Sequence, residues 1–310
     1  MAAARAALTL NREETPRARL GGARLADYWT LTKPEVNLLI LITTSAGFYV
    51  GCASEVHHCS FVALFDALLG TLLVASGTGT LNQYIERKFD AQMRRTARRP
   101  AAAGRIKPEA VLAFGIALAA VGTIYLAVFA SALASLLALL TLLSYLFLYT
   151  PLKRRTPLCV LVGAFSGAMP PLIGWAAASG HLNKEAAVLY AILFLWQFPH
   201  FMAIAWMYRE DYDRAGYLIL PPGKPRVLVV TLQTILPLLA LVAISVVQLP
   251  TRYAAVFYCA AILLALAFLY FGLKFVLERT RTSARRLLSA SIVYLPLLLA
   301  LSATLCSSAK

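Results

Sequence analysis

The run AVLAFGIALAAVGTIYLAVFASALASLLALLTLLSYLFLYT occupies residues 110–150 and holds no Asp, Glu, Lys or Arg in 41 positions. About 20 apolar residues in helical form cross the roughly 30 Å hydrocarbon core of a bilayer. The run is too long for one span and the right length for two, with a tight turn near Ser131 to Ser135. Working outward, similar apolar windows lie at 36–54, 61–85, 158–178, 186–208, 227–249, 254–277 and 287–306. With 110–130 and 131–150 they make nine. The chain is 60% hydrophobic and 14% charged, with a mean hydropathy of +0.72, where a soluble domain has roughly 45–50% apolar and about 25% charged residues. These proportions exclude a soluble enzyme, a disordered tail protein and a disulfide-stapled secreted module. The expected fold class is an all-α polytopic membrane protein of nine transmembrane helices, one domain over 31–310 behind a flexible segment 1–30. That segment is dotted with Arg and has no apolar stretch of the kind a cleaved signal needs.

The net charge of +15 suggests a polyanionic partner until the charges are placed along the chain. With the amino terminus inside, 26 of the 29 Lys and Arg fall on inside segments, and only Lys184, Arg252 and Lys310 fall outside. Such asymmetry sets the orientation of a membrane protein. The charge therefore reports topology, with a cytoplasmic amino terminus, and nucleic acid is not an expected partner.

The inner end of the second span reads NQYIERKFDAQMRRTARRP, residues 82–100. Asn82, Glu86 and Asp90 are spaced i, i+4, i+8, so they drift only about 80° around a helix and share one stripe. Two carboxylates and an amide are hard oxygen ligands suited to Mg²⁺, which takes one or two carboxylates together with substrate phosphates. Arg95 and Arg99 stand among six Arg and Lys within this stretch, enough positive charge to hold a diphosphate. A solvated helix end obeying the inside-positive bias explains the arginines but not a one-sided carboxylate stripe.

Two more clusters fall on the same side of the membrane: Tyr149 to Thr156, with Lys153 and Arg154, and Tyr208 to Arg214, with Asp211. Lys33, before Pro34 at the mouth of the first span, completes the ring of charge. Asp211 reads either as a second metal ligand or as a solvated helix end. The like-looking acidic segments after the second and sixth spans suggest a faint internal repeat. Within the sixth span, Trp196, Gln197 and His200 surround Pro199 in an aromatic stretch ending at Tyr208. This is either ordinary packing with one hydrogen-bonded histidine or the wall of a pocket for a flat apolar ligand. Asp66 is a second costly acid within a span, and no role follows from the residues around it. His57-His58, beside Cys59 in the first loop, reads as surface. The five cysteines show no metal-ligand spacing; only Cys52 and Cys59 lie near one connection.

Four blocks in order, NQYIERKFDAQMRRTARRP, YTPLKRRT, GAMPPLIGW (167–175) and WQFPHFMAIAWMYREDYDRAG (196–216), resemble the UbiA superfamily of intramembrane prenyltransferases, and within it the branch that prenylates haem. The resemblance runs from Thr32-Lys33-Pro34 to the ninth span. It implies a bundle around a central lipid-open cavity, with the diphosphate site at the cytoplasmic mouth and a bacterial-type inner membrane as location. It implies Asn82, Glu86, Asp90 and Asp211 as metal and catalytic residues, with Lys153 also catalytic. Lys33, Arg95, Arg99, Lys153 and Arg154 become the diphosphate-binding cations, and Trp196, Gln197, His200 and Tyr208 the haem pocket. The implied substrates are farnesyl diphosphate and haem B with Mg²⁺, and a haem A synthase is the implied partner downstream. Tyr84, Tyr149 and Tyr208 are candidate aromatic faces for a farnesyl cation. The superfamily's second motif pairs two Asp four residues apart; here Ala215 stands four beyond Asp211 and Asp213 is offset by two, leaving one or two metals open. A sister enzyme acting on a quinone precursor or chlorin would use the same carboxylates. A transporter would place its polar groups near the midplane, and here they gather at one face.

Overall fold

A computed structural model describes residues 25–54, 60–223, 225–245 and 254–307. Among these, nine helical segments are long and apolar enough to cross a membrane, from Pro34–Ala53 to Arg281–Ser302. They follow the expected windows closely. His57, His58, Cys59, Arg252 and Lys310 lie outside the described residues, as does the expected loose segment up to residue 24. Residues 25–30, expected within the flexible segment 1–30, instead belong to a short helix α1 (Leu25–Leu31), followed by α2 (Pro34–Ser54) and α3 (Phe61–Asp90).

The charge-free run divides as its length requires. Helix α4 (Pro108–Tyr125) continues through a wide π-type turn, Leu126–Ala130. Ser131 then turns extended, with φ −156°, and its side chain accepts from the Ala134 backbone N–H to start α5 (Ala132–Leu143). The hydroxyl satisfies one of the donors that a helix start leaves open. A second π-type turn, Ser144–Tyr149, and the short Thr150–Leu152 complete this span. Pro151 accounts for the wide turn. It has no N–H to donate and its ring crowds the carbonyl four residues back, so the Thr150 N–H bonds instead to the Tyr145 carbonyl, five residues back.

The fifth span, expected as one helix, is two. Helix α6 (Cys159–Gly167) stops, and α7 (Pro170–Ser179) restarts on a Pro-Pro pair. Two consecutive prolines withhold two N–H groups, and a proline at the first helical position is preorganised for a new start. This broken span is the most buried of the nine, the setting in which irregular backbone at membrane depth is tolerated. Then follow α8 (Lys184–Met207), unbroken through Pro199, a short α9 (Arg209–Arg214), α10 (Pro225–Ile244), α11 (Ala254–Glu278) and α12 (Arg281–Ser307).

Small residues bring the helices together. A Cβ on Gly47 of α2 would strike the Pro171 carbonyl, and one on Gly174 of α7 would strike that of Thr44. A Cβ on Gly77 of α3 would come within 2.6 Å of the Ala119 nitrogen on α4. Lipid offers no hydrophobic force between helices, so close backbone approach of this kind supplies the association. Large apolar side chains such as Ile116, Val121 and Ile124 of α4 and Val128 of the turn after it point outward, as a lipid-facing surface requires.

Helix α1 lies across the charged end of the bundle. Gln83 donates to the Leu31 carbonyl at 3.0 Å, and Leu31 packs with Ile106 and Val111. Asp27 pairs with Arg105 at 2.8 Å, tying α1 to the segment after α3. Asp66 sits near the opposite end of α3, where its carboxylate accepts a 2.6 Å hydrogen bond from the Tyr125 hydroxyl. Its place is a structural pair away from the charged end.

Candidate active site

Helix α3 extends past the expected window of 61–85 to Asp90, so Asn82, Glu86 and Asp90 remain in helical register and all three are buried. Glu86 is the hub. Its carboxylate receives Lys153 Nζ at 2.9 and 3.0 Å, Asn82 Nδ2 at 2.9 Å and the Tyr217 hydroxyl at 2.9 Å. Lys33 Nζ donates to Asn82 Oδ1 at 2.9 Å, so three segments distant in sequence, at Lys33, Lys153 and Tyr217, converge on one stripe of α3.

The Lys33 backbone is in the left-handed region, φ 55°, a conformation rare for a side chain other than Gly or Asn and concentrated at functional sites. It lies between α1 and Pro34, where α1 ends and α2 begins. Withdrawal from bulk water, and after it the neighbouring charges of Arg99 and Lys153, lower the Lys33 pKa to about 7 against the opposing pull of Glu86 and Asp90. Burial is the largest single influence on Lys153 and opposes its charge, but the Glu86 carboxylate together with Tyr149, Tyr145 and Tyr217 outweighs it and holds that ammonium's pKa well above the ordinary lysine value. Burial and then Glu86 raise the Tyr217 phenol, which donates as a neutral hydroxyl.

One turn further along, Asp90 pairs with Arg99 at 2.9 Å. Asp211 does not join the Glu86 network; its carboxylate accepts from the Arg95 backbone N–H at 3.3 Å and from Arg214 at 3.0 Å. Asp211 thus clasps the segment after α3 to α9. The Arg95 guanidinium lies 5.0 Å over the Tyr208 ring, and that of Arg154 lies 4.2 Å over Phe89. Arg154 lines a second opening beside Glu86, Arg155 and Tyr217.

From this mouth an apolar cavity of about 350 Å³ runs into the bundle. Lys33 and Asn37 stand at its polar end, Tyr145 and Tyr149 along it, and Trp196, Gln197 and His200 in its wall. Lys153 Nζ lies 4.5 Å from the Tyr149 ring centroid. Of the three tyrosines expected as aromatic faces only Tyr149 lines the cavity. Tyr84 lies outside it beneath Arg87. Tyr208, expected in the acceptor pocket, sits at the end of α8 beneath Arg95 because the helix ends there.

A model of the UbiA prenyltransferase family matches residues 40–298. The chain belongs to the UbiA prenyltransferase family. Its relatives include a protoheme IX farnesyltransferase from Solibacter usitatus, 46% identical over 281 residues, spanning 88% of this chain and 96% of that protein. Another protein of that name, from Aquifex aeolicus, is 36% identical over 284 residues, 91% of this chain and 96% of its own. Among solved structures, digeranylgeranylglyceryl phosphate synthase superposes with a TM-score of 0.71 at 16% identity, covering 91% and 98% of the two chains. A UbiA homologue from Archaeoglobus fulgidus bound to DMAPP and Mg²⁺ gives 0.67 at 15% identity, covering 92% and 100%. At these identities the structures bear out the fold.

The donors of this UbiA prenyltransferase are chemically suited to Mg²⁺: buried carboxylates and an amide on one face, all hard oxygen. Among the described residues no three His, Cys, Asp or Glu cluster closely enough to enclose an ion by themselves. The residues that the sequence reading missed are Tyr217 and Thr150, both hydrogen-bonded into the network. Tyr217 comes one residue after the WQFPHF…AG block, where only its fold-back onto Lys153, by a 2.7 Å bond from the Leu218 N–H to the Lys153 carbonyl, reveals it.

Proposed function

We propose that this chain transfers the farnesyl group of farnesyl diphosphate to a vinyl group of haem B, with addition of water, giving haem O and diphosphate. The observation that carries the reading is a cavity with a tryptophan–histidine wall whose polar end is Lys33, hydrogen-bonded through Asn82 into the Glu86–Lys153 network. The names borne by the relatives fit that acceptor. Lys33, Lys153 and Arg99, with Arg95 and Arg154 near the mouth, are the cations for the diphosphate. On its arrival Lys33, Lys153 and Arg99 exchange amide and carboxylate partners for phosphate oxygens, which leaves Asn82, Glu86 and Asp90 free to hold metal, with Asp211 as the remaining acidic candidate. Mg²⁺ bound with the diphosphate supplies Lewis-acid charge at the leaving oxygen. Preorganised positive charge acts where negative charge develops, so the C–O bond breaks with its electron pair going to the diphosphate. The farnesyl cation lies beside the Tyr149 face, where an aromatic ring stabilises positive charge. The terminal carbon of the haem vinyl group forms the new C–C bond, and water adds to the resulting cation and releases a proton. The chain stands in a bacterial-type inner membrane with this mouth on the cytoplasmic side. A haem A synthase is the fitting recipient of the product.

The test is a product assay. Membranes containing the protein receive haem B, farnesyl diphosphate and Mg²⁺, with and without EDTA, and haem mass is followed. A chelator-sensitive gain of one farnesyl group plus water supports the reading. Prenylation of a phenolic acceptor with no haem product would move the function to the quinone branch.

A further inference from the structure

The hydrogen bonds around His200 fix which of its nitrogens is free. Ser291 of α12 lies against α8, and its hydroxyl donates to the Leu288 carbonyl, one turn back, at 2.6 Å. A serine has one proton to give. The same oxygen lies 2.8 Å from His200 Nδ1; with the serine proton given to Leu288, it accepts there from an Nδ1–H tautomer. Ser291 holds the ring a second way, through its neighbour. Its carbonyl accepts from Trp196 Nε1 at 2.9 Å, and the Trp196 ring lies against His200 with centroids 4.6 Å apart at 27°. His200 Nε2 therefore carries a lone pair, has no hydrogen-bond partner among the described residues, and belongs to a residue that lines the cavity. Histidine in a packed interior ordinarily has its polar atoms satisfied. A ring fixed through Nδ1–H with Nε2 left open is instead the arrangement of a metal ligand and the group that orients it.

We propose that His200 Nε2 is an axial ligand to the iron of the haem acceptor, and that Ser291 is the positioning residue that selects its tautomer and holds the ring. The proposal rests on the reading of haem as substrate. It gives the acceptor a fixed point from which its periphery is presented to the prenyl chain. Other uses of a free imidazole nitrogen in this wall, such as accepting a proton from the added water, leave no mark on the iron.

The full-length protein in nanodiscs is titrated with haem B, ferric and ferrous, and the Soret band and the iron–histidine stretch are recorded. The wild type is expected to bind one haem with a histidine signature. His200→Ala loses that signature and regains an imidazole-ligated spectrum when imidazole is added. Ser291→Ala weakens haem binding by about tenfold or more and alters the stretch, while Ser291→Thr, which keeps the hydroxyl, restores both. His200→Gln, which keeps a partner for Ser291, separates lost ligation from lost packing. A histidine signature that persists in both His200 variants overturns the ligand assignment, and a Ser291→Ala spectrum and affinity equal to wild type overturns the positioning role. If the wild type binds haem and makes the farnesylated product without a histidine signature, only this proposal fails. If it binds no haem and prenylates another acceptor, the functional reading itself fails.

Discussion

Glu86 accepts from Asn82, Lys153 and Tyr217, so neutralising it leaves the Lys153 ammonium buried without a counter-ion. Breaking one side of a buried pair costs about 3–5 kcal/mol, while replacing both sides with neutral groups costs far less. Glu86→Gln is expected to lower thermal stability and to cut farnesyl transfer by a factor of about a hundred or more. The double variant Glu86→Gln/Lys153→Met should recover most of the stability and none of the activity. Thermal unfolding and product formation measured on the same preparations check this; a double variant as unstable as the single would mean that the two groups are not coupled. Lys33 sets a pH dependence. Its pKa of about 7 in the free protein means the ammonium is present below that value, and above it must take up a proton to meet a diphosphate. Affinity for the prenyl diphosphate is expected to fall as pH rises through 7 and beyond, at most tenfold per unit, and the fall should flatten in Lys33→Arg, whose guanidinium stays charged. Direct binding of a non-hydrolysable analogue across pH 6–9 is the measurement. The acidic stripe was legible because its spacing is helical. Tyr217 and Ser291 were not, since a tyrosine after a helix end and a serine inside an apolar run look like filler until distant chain meets them.

The apolar windows in the sequence placed every span, because a bilayer fixes how long such a window must be. What they hid was the departure from regular helix. Pro170 and Pro171 sit inside an apolar run and read as part of it, though their missing N–H groups split that span into α6 and α7. Gly167, at the end of α6, gives room for Gln197, whose side-chain oxygen would collide with any Cβ there. The wide turn before Pro151 matters more directly, since Lys153 follows it. Pro151→Ala restores the missing N–H and allows regular α-helix, which would rotate Lys153 by about 100° relative to α3. A misplacement of this order is expected to reduce transfer by about a hundredfold with membrane insertion unchanged. Activity comparable to wild type would show that the turn does not set the register of Lys153.

At the scale of the whole molecule, the Lys and Arg distribution makes a geometric statement that the fold honours: Lys33, Arg99, Lys153 and Arg214 meet at one end of the bundle, while Lys184 begins α8 at the other. Cysteines introduced at the exposed Arg98 and at Lys184 should therefore react with a membrane-impermeant thiol reagent from opposite sides, Arg98→Cys from the cytoplasm. Labelling of both from one side would refute the topology.

The cavity also has a floor. Its lining runs from Lys33 to Thr43 on α2 and from Gly79 to Thr71 on α3, about 15 Å or less at helical rise, and reaches further only on the side of α12, at Leu299. Beyond it, Gly47 meets Pro171 and Gly174 meets Thr44 with no room for a side chain. The well is blind. In a membrane that stores energy as a difference in protons and voltage, a charged shaft open at both ends would be a short circuit. This one admits its reactants from one leaflet while the rest of the barrier stays insulating, so vesicles densely packed with the protein should hold an imposed potential as long as empty ones do.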